Sequence, residues 1–495
     1  MTQEYEVIIV GAGIIGPVLA YALANDGRKV LLIEKNWEEP DRIVGELLQP
    51  GGVQALEKLG LAGCIEDIDG IPVHGYGVMY RGKAVNIPYP KDSEGRTVLG
   101  KSFHHGRFVM KLREAAKGCA NVTSLEATVN DLIKDNTGRV IGVGCTQKND
   151  NEEKKLKFFA PLTFVADGIF SKFRKEYLTV QPKLRSHFVG FIMKNTTLPY
   201  PNHGHVILAR NSPILMYQIG SNEVRVLVDI QGKLPSISNG DMKRYMLEQV
   251  LPDVPKQIQQ GFKEGIENDR IRSMTNSFLP PTRNTHEGVI LIGDAMNMRH
   301  PLTGGGMTVA FWDVVHTVDL LSREKVPDFS NSPLVVKQMK SHHWSRKSRA
   351  SMINILAMAL YALFSAPENS ENLRILQLSC FNYFQLGGIA ISGPVGLLAG
   401  LIPNPLVLMF HFYAVAVYGI IFHILLAPLW PSAPDAFSSD YQEVSSKTSS
   451  KSSMKITPAN IGLTVAYLPL NIIKAVSVLY TACVVFLPLV WSELC

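Results

Sequence analysis

Three glycines near the beginning of the sequence have the spacing of a phosphate-binding turn. Gly11, Gly13 and Gly16 follow a short apolar run and precede a helical pattern. In such a turn the first glycine permits a tight bend, the second lets a pyrophosphate approach the backbone at a helix N-terminus, and the third allows close helix packing. A second apolar run ends at Glu34, which is placed to accept a hydrogen bond from a ribose hydroxyl. This order of elements predicts a dinucleotide-binding unit.

Two later segments bear on which dinucleotide is bound. The sequence ADG at residues 166–168 follows one apolar strand, and Asp294 follows another, ahead of three glycines at 304–306 that open a helix. Asp294 can bind a ribityl hydroxyl, and the glycines free backbone N–H groups to lie against a flat, electron-accepting ring. Each segment alone could be an ordinary strand-to-loop turn. Together with the first motif, and in this order, they favour FAD over NAD.

Composition excludes several other classes of protein. The 495 residues are 46% hydrophobic and 19% charged, with a net charge of +6, which excludes collagen-like and disordered chains and is too weak for a nucleic-acid partner. The six cysteines are scattered without a C-x-x-C pair, so we interpret them as reduced thiols in a protein facing the cytosol. No Glu-x-x-His occurs and the histidine pairs lack a ligand context, so we expect no metal site. No signal peptide is expected either.

The last third of the sequence is much more apolar than the rest. No Asp, Glu, Lys or Arg occurs in the 60 residues from Ile375 to Pro434, and a serine-rich stretch at 435–455 separates these residues from a second apolar tract, Ile456 to Ser492. Pro405 to Trp430 is long enough to cross a bilayer, which needs about 20 helical residues. Leu386 to Pro403 contains five glycines and two prolines, which predicts a broken or re-entrant segment.

The way in which this tail meets a bilayer is left open by the sequence. Lys474 and Pro488 weaken the second tract as a simple span, so helices that lie partly in the interface are an equally good interpretation. A basic stretch from Lys337 to Arg349 contains no acid and would favour anionic headgroups. The alternative is a buried helical bundle.

Longer strings of residues resemble one group of flavoproteins. The three motifs are similar to the fingerprints of FAD-dependent monooxygenases of the aromatic-hydroxylase type, over about residues 5–320. More closely, the chain resembles the squalene epoxidase family, through DRIVGELLQPGG (41–52), HHGRF (104–108), DAMNMRHPLTGGGM (294–307) and NPLVL (404–408). The resemblance extends through the apolar tail. Without the hydrophobic N-terminal extension of the animal type, the sequence is similar to the shorter fungal form.

The resemblance implies a set of contacts for the cofactor and the substrate. Gln49 and Tyr76 match family positions beside the flavin and substrate pocket, which implies a role on the substrate side. No residue is expected to be catalytic in the strict sense, because the cofactor carries the chemistry. The implied cofactor-binding residues are Gly11, Gly13, Ile14, Ile15, Gly16, Glu34, Lys35, Arg42, Arg113, Val129, Asp294 and Met307.

The family resemblance also implies a reaction and a setting. The implied reaction is FAD-dependent epoxidation of squalene to (S)-2,3-oxidosqualene with molecular oxygen, in ergosterol biosynthesis. A reduced flavin can react with oxygen at its C4a carbon to give a hydroperoxide that is electrophilic enough for an alkene, provided that water is excluded. The sequence contains one dinucleotide motif, so NADPH has no second fold to bind. The resemblance implies that electrons come instead from a separate membrane-bound NADPH-dependent cytochrome reductase. The expected location is the endoplasmic reticulum membrane, with the catalytic domain facing the cytosol and with microsomal or lipid-droplet association left open.

The expected fold is α/β, with a Rossmann-like FAD-binding domain, a β-rich substrate domain and an α-helical, membrane-associated C-terminal region. We assign residues 1–70, 100–190 and 270–335 to the FAD-binding domain, 71–99 and 191–269 to the substrate domain, and 336–495 to the helical region. Three other functions stay open from the residues. They are a membrane quinone or polyprenyl hydroxylase, an escort protein that has lost its cofactor, and a flavin-dependent reductase of isoprenoid double bonds.

Overall fold

The computed structural model of the protein describes residues 5–92, 94–149, 152–210, 212–367, 369–426 and 468–494. The predicted serine-rich linker, 435–455, lies outside the described residues. Residues 427–434 of the first apolar tract and 456–467 of the second lie outside them as well.

The strands of the described residues are numbered here in chain order. They are β1 (Val7–Val10), β2 (Val30–Glu34), β3 (Leu47–Leu48), β4 (Ile71–Val73), β5 (Gly75–Tyr80), β6 (Lys83–Pro88), β7 (Gly100–Ser102), β8 (Val122–Glu126), β9 (Thr128–Lys134), β10 (Val140–Asn149), β11 (Glu152–Phe159), β12 (Leu162–Val165), β13 (Lys183–Lys194), β14 (His203–Ile207), β15 (Ile214–Gly220), β16 (Glu223–Ile230), β17 (Arg272–Phe278) and β18 (Val289–Leu291).

The α-helices of the described residues are numbered in the same way. They are α1 (Ile15–Asn25), α2 (Pro50–Lys58), α3 (His105–Lys117), α4 (Arg174–Tyr177), α5 (Asp241–Tyr245), α6 (Gln259–Asn268), α7 (Gly306–Leu320), α8 (Ser332–Phe364), α9 (Glu371–Gln385), α10 (Ile389–Leu398), α11 (Pro405–Gly419) and α12 (Leu468–Leu494).

Five parallel strands form the sheet that carries the glycine turn. Their order is β18-β12-β1-β2-β8, and every neighbouring pair is parallel. The central strands are nearly continuous apolar runs because both faces of the sheet are covered. Helices α1, α3 and α7 pack on one face, and the antiparallel sheet β11-β10-β9 packs on the other. The carboxyl ends of β1, β2, β12 and β18 meet at one edge, which is where such sheets bind ligands.

A seven-stranded sheet lies across that edge. Its order is β17-β13-β16-β15-β14-β5-β6, with all pairs antiparallel except β5 and β14. One face packs on α5 and α6, so residues 241–270, which carry no distinctive motif, form its cover. The other face packs on the C-terminal helices. Strand β13 crosses the predicted boundary at residue 190, and β17 belongs to this sheet although residues 270–335 were assigned to the FAD-binding domain.

The C-terminal helices form one packed layer. Helix α12 packs against α8, α9 and α11. In the second apolar tract, α12 is continuous through Lys474 and Pro488. The break expected around Leu386 to Pro403 is present: α9 ends at Gln385, and the short helix α10 follows two glycines with positive φ.

The predicted basic stretch does not face outward as a unit. Arg346 is buried in an ion pair with Asp313, and His342 and His343 are buried as well. The expectation that this whole segment meets anionic headgroups is therefore wrong for these three residues. Arg346 and His342 bond instead to Asp313 of α7, so these two side chains join α8 to α7.

Two helices of the described residues are long and apolar enough to cross a membrane, Pro405–Leu425 and Leu468–Leu494. Only 22% and 17% of their most apolar windows are buried, so they are not the core helices of a buried bundle. Helix α12 instead has one buried side and one exposed apolar side. The exposed stripe of α12 consists of Ile473, Val476, Tyr480, Val484, Leu487 and Trp491.

Candidate active site

A cavity of about 660 Å³ lies where the carboxyl edge of the parallel sheet meets the seven-stranded sheet. Gly16 and Gln49 are not on its wall, whereas the other sequence-predicted residues are. The predicted residues on the wall are Gly11, Gly13, Ile14, Ile15, Glu34, Lys35, Arg42, Tyr76, Arg113, Val129, Asp294 and Met307.

The glycine turn between β1 and α1 forms the polar end of the cavity. Gly11 has a φ of +101°, and a Cβ at this position would lie 2.6 Å from the carbonyl oxygen of Ala166. A Cβ on Gly16 would lie 1.8 Å from the carbonyl oxygen of Gly11, so Gly16 closes the turn from behind. A Cβ on Gly13 would meet no atom within 4 Å, because this glycine faces open space.

Glu34 holds the glycine turn from the end of the neighbouring strand. Its Oε2 accepts a hydrogen bond from the amide of Ala12 at 2.6 Å, and its Oε1 accepts one from the amide of Lys35 at 2.9 Å. The carboxylate therefore serves the turn as well as the open side of the cavity, where a ribose hydroxyl would lie.

Arg113 on α3 braces the same turn from the opposite side. Its Nε donates to the carbonyl oxygen of Ala12 at 2.8 Å, and its Nη1 donates to that of Glu38 at 2.9 Å. Burial lowers the pKa of the guanidinium slightly against the attraction of Glu34, and it stays charged. The positive charge makes this end of the cavity attractive to phosphate.

Arg174 ties together the two later motifs. This buried side chain donates to the carbonyl oxygens of Gly168 at 2.9 Å, Asp294 at 2.8 Å and Ala295 at 2.8 Å. The ADG segment and the loop after β18 are thereby fixed next to each other at the cavity wall. The carboxyl group of Asp167 lies at the same place, and burial raises its pKa.

A hydrogen-bonded trio of Gln49, Tyr76 and Tyr89 lies at the other end. The Gln49 amide nitrogen donates to the Tyr76 hydroxyl at 2.5 Å and to the carbonyl oxygen of Thr303 at 2.8 Å, while the Tyr89 hydroxyl donates to Gln49 Oε1 at 2.6 Å. Gln49 is fully buried behind Tyr76, so it positions this ring and does not form the wall itself. Burial raises the pKa of Tyr76, which keeps the hydroxyl neutral.

Sequence reasoning missed a buried ion pair that holds Glu46 on the cavity wall. Arg225 on β16 donates to both carboxylate oxygens of Glu46, at 2.9 and 2.8 Å, and the Tyr217 hydroxyl donates to Glu46 at 3.2 Å. Both charged groups are almost completely buried. Glu46 stands inside a string that marked the family, but nothing in the sequence pairs it with an arginine 179 residues away.

The wall near the tyrosines is mostly apolar. It includes leucines from three strands and a valine from a fourth, with one further leucine from the loop after His300. These residues are Leu47, Val206, Leu215, Leu227 and Leu302. Among the described residues no group of His, Cys, Asp or Glu is arranged to hold a metal ion.

The polar atoms of the cavity fit FAD. Five wall residues have a buried polar atom without a hydrogen-bond partner in the described part of the chain, namely Asp167 Oδ1, His205 Nδ1, Asn276 Oδ1, Arg299 Nε and Thr303 Oγ1. Buried polar atoms are normally paired, so these atoms indicate a polar ligand. The open face of Gly13 and the charge of Arg113 suit a pyrophosphate.

Solved structures place this fold in a known class. The chain is similar to p-nitrophenol 4-monooxygenase from Pseudomonas putida, with a TM-score of 0.64 and 15% identity over 81% of this chain and 99% of that one. It is also similar to a probable FAD-dependent monooxygenase from Pseudomonas aeruginosa, with a TM-score of 0.59 and 20% identity over 73% of this chain and 97% of that one. At these identities the likeness shows the fold alone, which is that of the FAD-dependent monooxygenases. The model of an NAD(P)-binding Rossmann-like domain matches residues 9–38.

Sequence relatives make the assignment narrower. The squalene epoxidase family model matches residues 159–434. The chain is 53% identical over 419 residues to squalene epoxidase from Aspergillus fumigatus, covering 83% of this chain and 85% of the relative. It is 43% identical over 493 residues to mouse squalene monooxygenase, covering 99% of this chain and 78% of the relative. The chain belongs to the squalene epoxidase family, which confirms the resemblance predicted from the sequence.

Proposed function

We propose that this cavity binds FAD at its glycine-lined end and one end of squalene at its apolar end, and that the protein converts squalene into (S)-2,3-oxidosqualene in ergosterol biosynthesis. One oxygen atom of O₂ enters the alkene, and the other leaves as water with two electrons and two protons. The observation that carries this proposal is the joining of a polar, glycine-lined region and an apolar region in one cavity.

The residues at the polar end bind and orient the cofactor. Bound FAD supplies the activation of oxygen, which no side chain can provide. The glycine turn, with the charge of Arg113 behind it, would hold the pyrophosphate, and Glu34 would hold a ribose hydroxyl. Lys35, Arg42, Val129, Asp294 and Met307 line the same end and would complete the cofactor site.

The residues at the apolar end position a hydrocarbon by shape. Squalene has no polar atom, so its placement depends on apolar walls that exclude water. The trio of Gln49, Tyr76 and Tyr89 satisfies its own hydrogen bonds, and therefore it gives the wall a fixed contour without requiring a partner on the substrate. Residues that act as acids or bases are not needed at this end.

We also propose that electrons come from a separate membrane-bound NADPH-dependent cytochrome reductase. A single glycine turn of the dinucleotide type supports this, because FAD takes that turn and leaves none for NADPH. The setting that suits both proteins is the cytosolic face of the endoplasmic reticulum membrane. The division into an FAD-binding domain, a substrate domain and a helical membrane domain stays a prediction, with β13 and β17 counted in the substrate sheet.

The protein is membrane-associated, and the exposed stripe of α12 is the feature that we expect to enter the lipid. Because the opposite side of α12 packs on α8, α9 and α11, the helix is suited to lie in the interface of one leaflet. Squalene dissolves in the hydrocarbon layer, so this placement brings the apolar end of the cavity to the substrate.

Reconstitution tests these assignments. The detergent-purified protein is incorporated into phospholipid vesicles that contain squalene and FAD, with or without a purified NADPH-dependent cytochrome reductase. We expect 2,3-oxidosqualene only when the reductase and NADPH are both present. Equal product formation with NADPH alone would contradict the proposed donor, and no product with reduced flavin still bound would move the substrate to another membrane lipid.

The placement of α12 is tested by changing its exposed stripe. A variant with Ile473→Gln, Val484→Gln and Leu487→Gln should lose most of its cosedimentation with vesicles, since each change removes exposed apolar surface. The matched control is Leu184→Gln with Ile237→Gln. It changes two exposed apolar residues away from α12, one on β13 and one in the loop between β16 and α5. Equal binding of both variants would refute the role of the stripe.

A further inference from the structure

Helix α12 ends with a carboxylate in an unfavourable place. Glu493 is the only acid of this helix and lies in its last turn, where the helix dipole disfavours negative charge. Glu493 is only 4% exposed, whereas the nearby Trp491 and Leu494 are 69% and 57% exposed. Burying a carboxylate is costly unless its oxygens are paired, so the contacts of Glu493 call for an explanation.

Three residues of α8 donate hydrogen bonds to Glu493. Its Oε2 accepts from the Ser351 hydroxyl at 2.8 Å, and its Oε1 accepts from the Asn354 amide at 2.9 Å. Lys347 donates to the backbone carbonyl of the same residue. The end of α12 is therefore docked in a polar site that is built into α8.

Asn354 connects this docking site with the loop at the cavity. The same Asn354 amide group donates to Asn297 Oδ1 at 3.1 Å. That oxygen also accepts from Arg299 at 3.0 Å and from Arg346 at 3.1 Å, and Arg346 is held by both oxygens of Asp313 at 2.8 Å. A continuous buried network thus runs from α12 to Asn297.

Arg299 brings the network to the wall of the cavity. Its guanidinium donates to the carbonyl oxygens of Asn297 at 2.8 Å and of Gly306 at 3.3 Å, so it spans the loop from Asp294 to the first residue of α7. Arg299 lines the cavity and has an unpartnered Nε in the described part of the chain. A shift of Asn297 would therefore move groups that face the cofactor end.

We propose that the Glu493 carboxylate is a positioning group that, through Asn354 and Asn297, holds Arg299 and the loop 294–306 in the arrangement that binds the flavin. The docking of a membrane-associated helix is thereby coupled to the cofactor site. This inference rests on the proposed function only in that the cofactor is FAD, and it needs no assumption about the substrate.

Affinity for FAD, measured on the full-length protein in detergent micelles without squalene, tests the coupling. Glu493→Gln keeps the shape but removes the charge, and Asn354→Leu removes the link to Asn297 while leaving Glu493 in place. Each should weaken FAD binding about tenfold and change the visible circular dichroism of the bound flavin, because a charge-assisted contact in a buried network is lost. Ser351→Ala is the matched control, since Ser351 bonds to Glu493 but not to Asn297.

The outcomes separate a positioning role from a structural one. A role in packing alone predicts that Glu493→Gln and Asn354→Leu bind FAD within about twofold of the unaltered protein with an unchanged flavin spectrum, which would overturn the proposal. An equal loss of affinity in Ser351→Ala would overturn it too, because the effect would then not follow the link to Asn297. If Glu493→Gln does not fold, Asn354→Leu decides alone. Absence of FAD binding in the unaltered protein would instead contradict the proposed function.

Discussion

The two ends of the cavity are built from different kinds of atoms. At the cofactor end, backbone amides and carbonyls of the glycine turn are fixed by Glu34 and Arg113. At the substrate end, leucine side chains and tyrosine rings form the wall, and the side chains of Gln49, Tyr76 and Tyr89 bond to one another. The difference teaches that a charged cofactor is recognised by groups that can still form hydrogen bonds with a ligand. A hydrocarbon is instead positioned by apolar side chains and by polar ones that already hydrogen-bond within the protein.

The largest effect is expected at the cofactor end. Gly16→Ala should abolish FAD binding, because its Cβ would lie 1.8 Å from the carbonyl oxygen of Gly11 and would displace the turn. The measurement is the flavin absorbance per polypeptide after gel filtration. Gly63→Ala is the control, since a Cβ there meets no atom within 4 Å, and it should retain full flavin. Stoichiometric flavin in Gly16→Ala would show that the tight glycine turn is not required at the cofactor end.

The buried ion pair of Glu46 and Arg225 is expected to affect stability next most strongly. Arg225→Met leaves Glu46 charged and buried, which should lower the free energy of unfolding by about 3–5 kcal/mol. Urea denaturation measures this change. The double variant Glu46→Leu with Arg225→Met removes both charges and should recover most of the loss. If the double variant is as unstable as the single one, packing rather than charge explains the effect.

A somewhat smaller effect is expected from pH at His105, which lies on the cavity wall near Arg42. Burial lowers its pKa from 6.5 to about 4, and its Nδ1 donates to the carbonyl oxygen of Gly45 at 3.0 Å. Between these two pH values, His105 binds a proton in the unfolded chain but not in the folded one. The contribution of His105 to the free energy of unfolding is therefore fully present above pH 6.5 and is lost as the pH is lowered to about 4. The expected loss is about 3 kcal/mol.

Urea denaturation at several pH values measures that slope. His105→Asn should make the dependence shallower by this amount, while other buried histidines such as His205 and His342 retain their share. An unchanged slope in His105→Asn would show that this residue is not the titrating group.

The smallest effect is expected at the substrate end. Tyr76→Phe keeps the ring but loses the hydroxyl that accepts from Gln49, so the wall should lose its fixed contour. We expect kcat/KM for squalene to fall about tenfold with unchanged FAD affinity, because one buried hydrogen bond is lost. Tyr89→Phe, away from the wall, is the comparison and should have a smaller effect on kcat/KM. A loss of FAD binding in Tyr76→Phe would show that the two ends are not separate.

The cofactor end could be predicted from the sequence because its requirements are local. Only glycine fits at Gly11 and Gly16, and these requirements lie within one turn of chain, so spacing reveals them. The substrate end depends on contacts between distant strands, such as Glu46 with Arg225, which no spacing encodes. For the same reason the sequence could not show that β17 pairs with β13 in the seven-stranded sheet.

The sequence predicted where the apolar tracts of the helical region lie but not which residues they contact. Absence of charge identified the apolar tracts, yet the sequence could not show that Arg346 turns inward to Asp313 or that α12 continues through Pro488. A helix interior tolerates a proline when neighbouring helices pack around it. Likewise, Glu493 looks like an ordinary terminal acid until the polar groups of α8 are seen around it.

A single-turnover reaction tests most directly that one cavity joins both ends. The purified protein with bound FAD is reduced chemically without oxygen, mixed with squalene and then exposed to ¹⁸O-labelled O₂, and the products are counted by mass spectrometry. We predict nearly one labelled 2,3-oxidosqualene for each bound flavin. Reoxidation of the flavin with hydrogen peroxide as the product and squalene recovered unchanged would contradict the account.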